Sequence, residues 1–317
     1  MKKIIAIVCA LVLTLSLCAC GAAPASDVYN VGICQLVQHD ALDAATKGFK
    51  DALTEKLGDK VVFSEQNASG DSATCAVICN QFVSDGVNLI MANATPAVLA
   101  AQSATGEIPI LGTSVTDYGS ALGIENWTGT TGTNISGTSD LAPLDGQAQM
   151  IKELFPDAKT VGILYCSSEP NSKYQAGVIT AELTALGYTV SEFTFSDSND
   201  VANVTATACN EADVLYIPTD NTAASCTEAI NNVALPAGVP IVAGEEGICA
   251  GCGVATLSIS YYDLGYATGL QAYEVLVNGA DVSTMPIEFA PQFTKKFNAA
   301  NCDALGIAAP ADYVAIG

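Results

Sequence analysis

The 317-residue sequence contains no arginine and a single histidine, His39. Its 11 lysines are set against 33 acidic residues, a formal charge of −22. A chain so poor in base cannot displace counterions from phosphates, which argues against nucleic-acid binding. The same shortage argues against electrostatic attachment to an anionic membrane face, and the acidic surface reads as a device for solubility. Catalytic signatures are missing as well. There is no Gly-x-Ser-x-Gly elbow, no P-loop, no Gly-x-Gly-x-x-Gly behind the first strand pattern and no cluster of metal ligands. No catalytic residue, cofactor or metal is therefore expected. Cys34 with His39, or an acidic pair, is what an enzymatic reading would have to use, and Cys34 lies in a buried strand pattern.

What is present is apolar. Half of the residues are hydrophobic and 14% are charged, so the chain can bury a substantial core and has no compositional sign of disorder. The length allows two ordinary domains. The first 20 residues read as an export signal: Lys2 and Lys3, then an apolar run from Ile4 to Leu17 interrupted only by Thr14 and Ser16. The run ends in Leu17-Cys18-Ala19-Cys20-Gly21, a lipoprotein-type box. A signal peptide over 1–19, a lipidated Cys20 and a small-residue tether over 20–27 are expected, which puts the protein on the outer face of the cell membrane. A plain secretory signal with an incidental cysteine is the alternative.

Nine cysteines follow, mostly single within apolar runs, and read as structural thiols. Cys249-Ala-Gly-Cys252 has redox-motif or half-zinc spacing, with a local disulfide as the sharper alternative.

From Val28 onward strand-like and helix-like runs alternate. Val28–Cys34, Val61–Ser64, Asn88–Met91 and Ile108–Leu111 read as strands separated by helices over Ala41–Leu57, over Asp71–Ser84 and from Thr95-Pro96 onward. A Gly/Thr/Ser-rich passage covers Gly112–Asp140. The alternation then resumes with Asp145–Phe155, and runs through a single helix over Ala223–Val233 and a Gly/Cys-rich turn after Val242. Such units require parallel sheets covered on both faces, and two runs imply an α/β protein of two doubly wound lobes. Ligands in such lobes bind beyond the carboxyl ends of the strands, beside helix N-termini. Those ends carry Gln35, His39, Thr95, Thr113, Ser114, Thr116, Thr219, Asp220, Asn221, Glu245 and Glu246, as well as Glu169. Turn and cap roles are the alternative for each.

Particular segments resemble a known family. They are Gly32-Ile33-Cys34-Gln35-Leu36-Val37-Gln38-His39, Ala94-Thr95-Pro96-Ala97, Asn134-Ile135-Ser136-Gly137-Thr138-Ser139-Asp140, Glu169-Pro170-Asn171-Ser172, Pro218-Thr219-Asp220-Asn221-Thr222 and Tyr261-Tyr262-Asp263-Leu264-Gly265. From Val28 to the C-terminus the chain resembles the ABC-transporter substrate-binding lipoproteins of the tryptophan/tyrosine-binding family, of type I periplasmic-binding-protein fold. The resemblance implies a receptor, not an enzyme, that captures an aromatic amino acid and hands it to a permease with its ATPase. It implies a three-segment hinge, with one lobe over 28–137 plus 261–287 and the other over 138–260 plus 288–317. The chain departs from the family pattern at Gln38-His39-Asp40, at Glu245-Glu246-Gly247 and at Ser260.

An amino-acid ligand needs a buried carboxylate for its ammonium. Asp220 is the first candidate, with a helix N-cap as its alternative role; Glu169 and Glu246 follow. Without arginine the ligand carboxylate must be met by helix N-termini and hydroxyls. Thr95 with Pro96, and Thr113 with Ser114, are the candidates. Trp127, Tyr118, Tyr174 and Tyr261 are available for ring stacking or for core packing. Gln35, Gln38, His39, Thr116, Asp140, Asn171, Thr219, Asn221 and Glu245 complete the expected ligand-facing set. A ligand sensor for a signalling receptor is the second reading, and an extracytoplasmic enzyme the third.

Overall fold

The computed structural model describes residues 28–316, so the expected leader, Cys20 and the tether fall outside the described residues. The first half builds β1 (Tyr29–Gln35), α1 (Asp40–Leu57), β2 (Val61–Asn67), α2 (Ser72–Asp85), β3 (Leu89–Asn93), α3 (Thr95–Ala104), β4 (Ile110–Val115), the short α4 (Tyr118–Ala121) and β5 (Ile135–Ser139). The second half builds α5 (Leu144–Leu154), β6 (Thr160–Cys166), α6 (Pro170–Ala185), β7 (Thr189–Phe195), α7 (Val201–Glu211), β8 (Val214–Ile217), α8 (Asn221–Ser225), α9 (Thr227–Ala237), β9 (Ile241–Ala243), α10 (Glu246–Cys252) and β10 (Ala255–Ser258). The chain returns through α11 (Tyr261–Asn278), β11 (Glu288–Phe289), β12 (Thr294–Phe297), α12 (Ala299–Leu305) and β13 (Val314–Ala315).

The strands form two sheets, in the orders β11-β5-β4-β3-β1-β2 and β13-β12-β10-β9-β8-β6-β7. Every pairing is parallel except β10 with β12. Central strands are buried and mostly apolar because helices cover both faces; all five residues of β3 and all four of β8 are buried. In each lobe the strand order reverses beside the first strand, at β1 and at β6, and opens a crevice at the strand ends. The first sheet runs to Ser139 and Phe289, just beyond the lobe boundaries expected at 137 and 287.

Three segments depart from the sequence pattern. Strand β5 lies inside the passage expected to be irregular. It is fully buried yet mostly polar, and its hydroxyls bond inward: Ser136 donates to the Met285 carbonyl, Ser139 to the Thr116 carbonyl, and Thr138 pairs with Thr113 and Thr268. The helix expected over Ala223–Val233 is two helices, α8 and α9, with a non-helical Cys226 between them. The Gly/Cys-rich turn is α10, whose first amides are held by the Glu245 carboxylate. All nine described cysteines are free thiols, and Cys252 Sγ donates to the Ile248 carbonyl at 3.3 Å in place of a bridge to Cys249.

Helices α1 and α11 touch backbone to backbone, and this sets where their N-termini meet the crevice. A Cβ on Gly265 would lie 1.9 Å from the Ala45 carbonyl oxygen, and one on Gly48 would lie 2.1 Å from that of Tyr262. Gly265→Ala therefore forces the helices apart and is expected to cost about 3 kcal/mol in urea unfolding. Gly177→Ala, in the exposed middle of α6 with open space around it, should be neutral or stabilise by about 0.5–1 kcal/mol. Equal losses at the two positions would show that the close approach is not what Gly265 provides.

Candidate functional site

The carboxyl ends of the two sheets face each other across a seam. One cleft of 410 Å³ is lined by Asp40 and Ala44 from α1 and by Glu245, Glu246, Tyr261 and Lys296. Another of 270 Å³ is lined by Val37, Ser69 and Pro96 from the first lobe and by Ser168, Glu169 and Asn221 from the second. Gln38 and His39 face Ser225 and Gly247 in a third, of 360 Å³. Two side-chain bonds cross the seam directly. His39 Nε2 meets Asn221 Oδ1 at 3.3 Å, and Gln175 Nε2 donates to Thr116 Oγ1 at 3.3 Å.

On the first lobe, β3 and β4 run side by side with Asn93 opposite Thr113. The residues that follow them, Ala94 and Ser114, hold φ of 88° and 55°, in the left-handed half of conformational space where a side chain is strained. The β4–β5 register also slips between Gly112 and Val115, an irregularity of the kind that re-aims side chains beside binding sites. These distortions accompany buried hydroxyls with no protein partner: Thr95 Oγ1 and Ser114 Oγ. Thr95 heads the ten-residue α3; Pro96 has no N–H, and the amides of Ala97 and Val98 donate to the Ala94 carbonyl, so the Thr95 amide and the positive end of the helix dipole are what lie beside the hydroxyls. Unpartnered hydroxyls beside a helix N-terminus are donors of the kind an anion requires. Thr113, by contrast, is committed to Thr138.

On the second lobe, Asn171 shows the opposite vacancy. Its Nδ2 donates to Glu169, to Ser172 and to the Thr219 carbonyl, while its buried Oδ1 has no donor. Asp140, at the end of β5, lies in the first crossover. Its carboxylate accepts from Thr116 Oγ1 at 3.3 Å and from Tyr261 Oη at 2.9 Å. Both donors are neutral, and among the described residues no lysine pairs with it. Burial pushes its pKa up to about 6, against the pull of those two hydroxyls. An unpaired acceptor and an uncompensated acid are what an ammonium group requires.

The other buried acids are saturated within their own lobe. Asp220 caps α8 through Ala223 N and also accepts from Cys166 N and Ser172 Oγ, each at 2.7 Å. Burial and then the nearby Glu169 push its pKa up to about 8. Glu169 accepts from Asn171, from the amide and side chain of Asn221, and from the amide and hydroxyl of Thr222. Glu245 accepts from Gly247 N and Ile248 N; burial raises its pKa to about 7 despite both bonds. Glu246 pairs with Lys296 at 2.5 Å. Gln35 is bonded inside the first lobe, to the Val37 carbonyl, Asp43 and Thr46. Gln38 is exposed.

Gln175 was not legible as a site residue. Its carbonyl accepts from Thr219 N while its amide reaches Thr116, Asn171 and Thr219, which ties the two lobes together. Mid-helix position gave it no turn or cap signal. Of the four rings considered, Tyr261 bonds Asp140 at the seam. Tyr118 donates to the Thr138 carbonyl and belongs to the first-lobe core, against which Trp127 packs. Tyr174 is half-buried. Among the described residues no group of His, Cys, Asp and Glu could hold a metal ion.

With this geometry in place, the comparisons are specific. Residues 30–315 match the family model for ABC transporter substrate binding proteins. A tyrosine-binding protein of Clostridioides difficile is 40% identical over 261 residues, 81% of this chain and 75% of that protein. An ABC domain from Streptococcus pneumoniae in complex with L-Trp superimposes with a TM-score of 0.87 at 31% identity, covering 91% of this chain and 100% of that one. A ligand-free, open substrate-binding protein with adhesive properties from Clostridium difficile gives 0.69 at 36% identity, covering 91% and 99%. The chain thus resembles the Trp-bound structure more closely in shape, although the open one is closer in sequence.

The elevated pKa of Asp140 has a stability consequence. Between its unfolded value of about 4 and its folded value near 6, the folded protein holds a proton that the unfolded chain has lost. Its contribution to stability is therefore full at low pH and disappears as pH rises through about 6. Asp140→Asn should remove this component, so the stability difference between the two proteins should shift by on the order of 2–3 kcal/mol from pH 4 to pH 7.5 without added ligand. Urea unfolding at several pH values reads it, and parallel profiles would show that Asp140 carries no such shift.

Proposed function

The chain belongs to the ABC transporter substrate-binding protein family, and we propose that it captures a free aromatic amino acid, L-tyrosine or L-tryptophan, between its lobes for delivery to a membrane permease and ATPase. The observation that carries this reading is the pairing of opposite vacancies across one seam. Thr95 Oγ1, Ser114 Oγ and the head of α3 suit an α-carboxylate without arginine, while Asn171 Oδ1 and Asp140 suit an α-ammonium. The aromatic side chain is supported by what the two similar proteins bind, tyrosine in one and L-Trp in the other.

The role is binding rather than turnover. Cys34, the nucleophile of the enzymatic alternative, is buried among Cys75 and Cys79, and their hydrogen bonds, followed by burial, drive its pKa far above the ordinary thiol range. The protein works outside the cytoplasm. We assign its attachment to lipid on Cys20, supported by the sequence order of lysines, apolar run and Leu-Cys-Ala-Cys box. The lobes divide at the ends of β5, β10 and β11, each followed by a crossover. Delivery to a permease is favoured over sensing by the family match.

A thermal-shift and calorimetric screen of the twenty amino acids tests the assignment. L-Tyr or L-Trp should raise the melting point by mass action. Asp140→Asn and Thr95→Ala should each weaken binding about 10–100-fold, because each strands one end of the zwitterion. Tyramine, without the carboxylate, should bind far more weakly than tyrosine. No shift with any aromatic amino acid would remove the assignment.

A further inference from the structure

We infer that Glu169, Asn221 and His39 form a latch across the seam: Glu169 orients Asn221, Asn221 grips His39, and the three set how firmly the lobes stay closed without touching the ligand. The inference needs two lobes that open and close, and rests on the receptor reading only to that extent.

The chemistry fixes each partner in turn. Glu169, immediately before α6, is buried and holds five hydrogen bonds, two of them from Asn221. A carboxylate with its oxygens so engaged has little left for a ligand ammonium. The Asn221 side-chain contact is the shortest of the five, Nδ2 to Oε2 at 2.6 Å. A carboxylate only accepts, so the amide nitrogen must face Glu169 and Oδ1 must face His39. The 3.3 Å contact is then a donation from His39 Nε2–H to Asn221 Oδ1, which fixes the neutral tautomer. Burial lowers the pKa of His39, opposed by the Asn221 bond and by Glu169, Asp43 and Asp40. His39 belongs to the loop between β1 and α1, and Asn221 is the first residue of α8, so the bond joins the two lobes across 182 residues of sequence. One lobe holds the acceptor rigid, and the other supplies the single donor. Opening the seam would break that bond and leave the Glu169 cluster intact.

The test is a double-mutant cycle on closure. In stopped-flow fluorescence with L-tyrosine and L-tryptophan as probes, His39→Ala and Asn221→Ala should each raise the dissociation rate about three- to tenfold. Association rates should change by less than about twofold. The double variant should be no faster than either single one, because both remove the same bond. Glu169→Gln, which loosens Asn221, should move the rate in the same direction. Effects that multiply in the double variant, as for two independent ligand contacts, or unchanged dissociation rates would overturn the latch. Urea midpoints of each variant exclude misfolding as the cause. If neither probe binds the wild-type protein, the ligand assignment fails, and small-angle scattering without ligand decides the latch alone. The latch predicts a larger radius of gyration for His39→Ala than for wild type, and equal radii would overturn it.

Discussion

Burying a carboxylate without a cation is the constraint around which this protein is organised. Asp140, Glu169, Asp220 and Glu245 all lie buried near the seam between the lobes, in a chain that has no arginine. An isolated buried charge costs several kcal/mol, so each acid must be met by donors or by a shift toward its neutral form. Three are met by backbone amides, hydroxyls and amide side chains, and in meeting them the protein fixes the heads of α8 and α10. Asp140 has two hydroxyl donors and its own backbone amide, and among the described residues no lysine pairs with it. Its side-chain donors are hydroxyls alone, and it lies at the crossover between the lobes, where the proposed ligand ammonium would add a positive partner.

The proposed corner for the ligand's anionic end shows the same economy. A guanidinium would recognise a carboxylate by a fixed fork, but here it would also neutralise the acids across the seam. Hydroxyls and a helix N-terminus supply donors without a mobile charge, and they do so through backbone held at positive φ at Ala94 and Ser114. That strain is sustained by strands buried on both faces, which leave the loops no room to relax.

The sequence read well wherever a local rule controlled the outcome. Alternating apolar runs announced the two doubly wound lobes, and Thr95-Pro96 announced α3, because strand burial and helix capping are written within a few residues. Strand β5 was unreadable because its solvent-like residues Ser136, Thr138 and Ser139 are satisfied by partners from Thr113, Thr116, Thr268 and Met285, far away in the chain. The polar strand ends stand out in the sequence as a group, yet their individual roles are not separable there. Asp220 and Asp140 look alike in sequence, and only the count of donors around each tells a saturated cap from an acid with capacity to spare. Gln175 was invisible for a related reason: mid-helix glutamine is ordinarily a surface residue, and its burial follows from the second lobe lying against the first.

In the proposed reading, recognition at Asp140 is coupled to closure, and this follows from topology. Asp140 lies in the first crossover between lobes and Tyr261 at the start of the helix that follows the second, and the two are bonded to each other. Thr116 adds the first lobe to this pair, and Gln175 adds the second. A ligand ammonium placed against Asp140 therefore acts on two hinge strands and both lobes through single hydrogen bonds. Asp140 is held by Thr116 and Tyr261 on the first-lobe side, so in the proposed reading it is Asn171 Oδ1, on the second lobe, that a zwitterion reaches only when the seam is shut. Binding energy realised only in the closed arrangement is what shifts a hinge equilibrium, since a ligand bound equally well by the open form would move nothing.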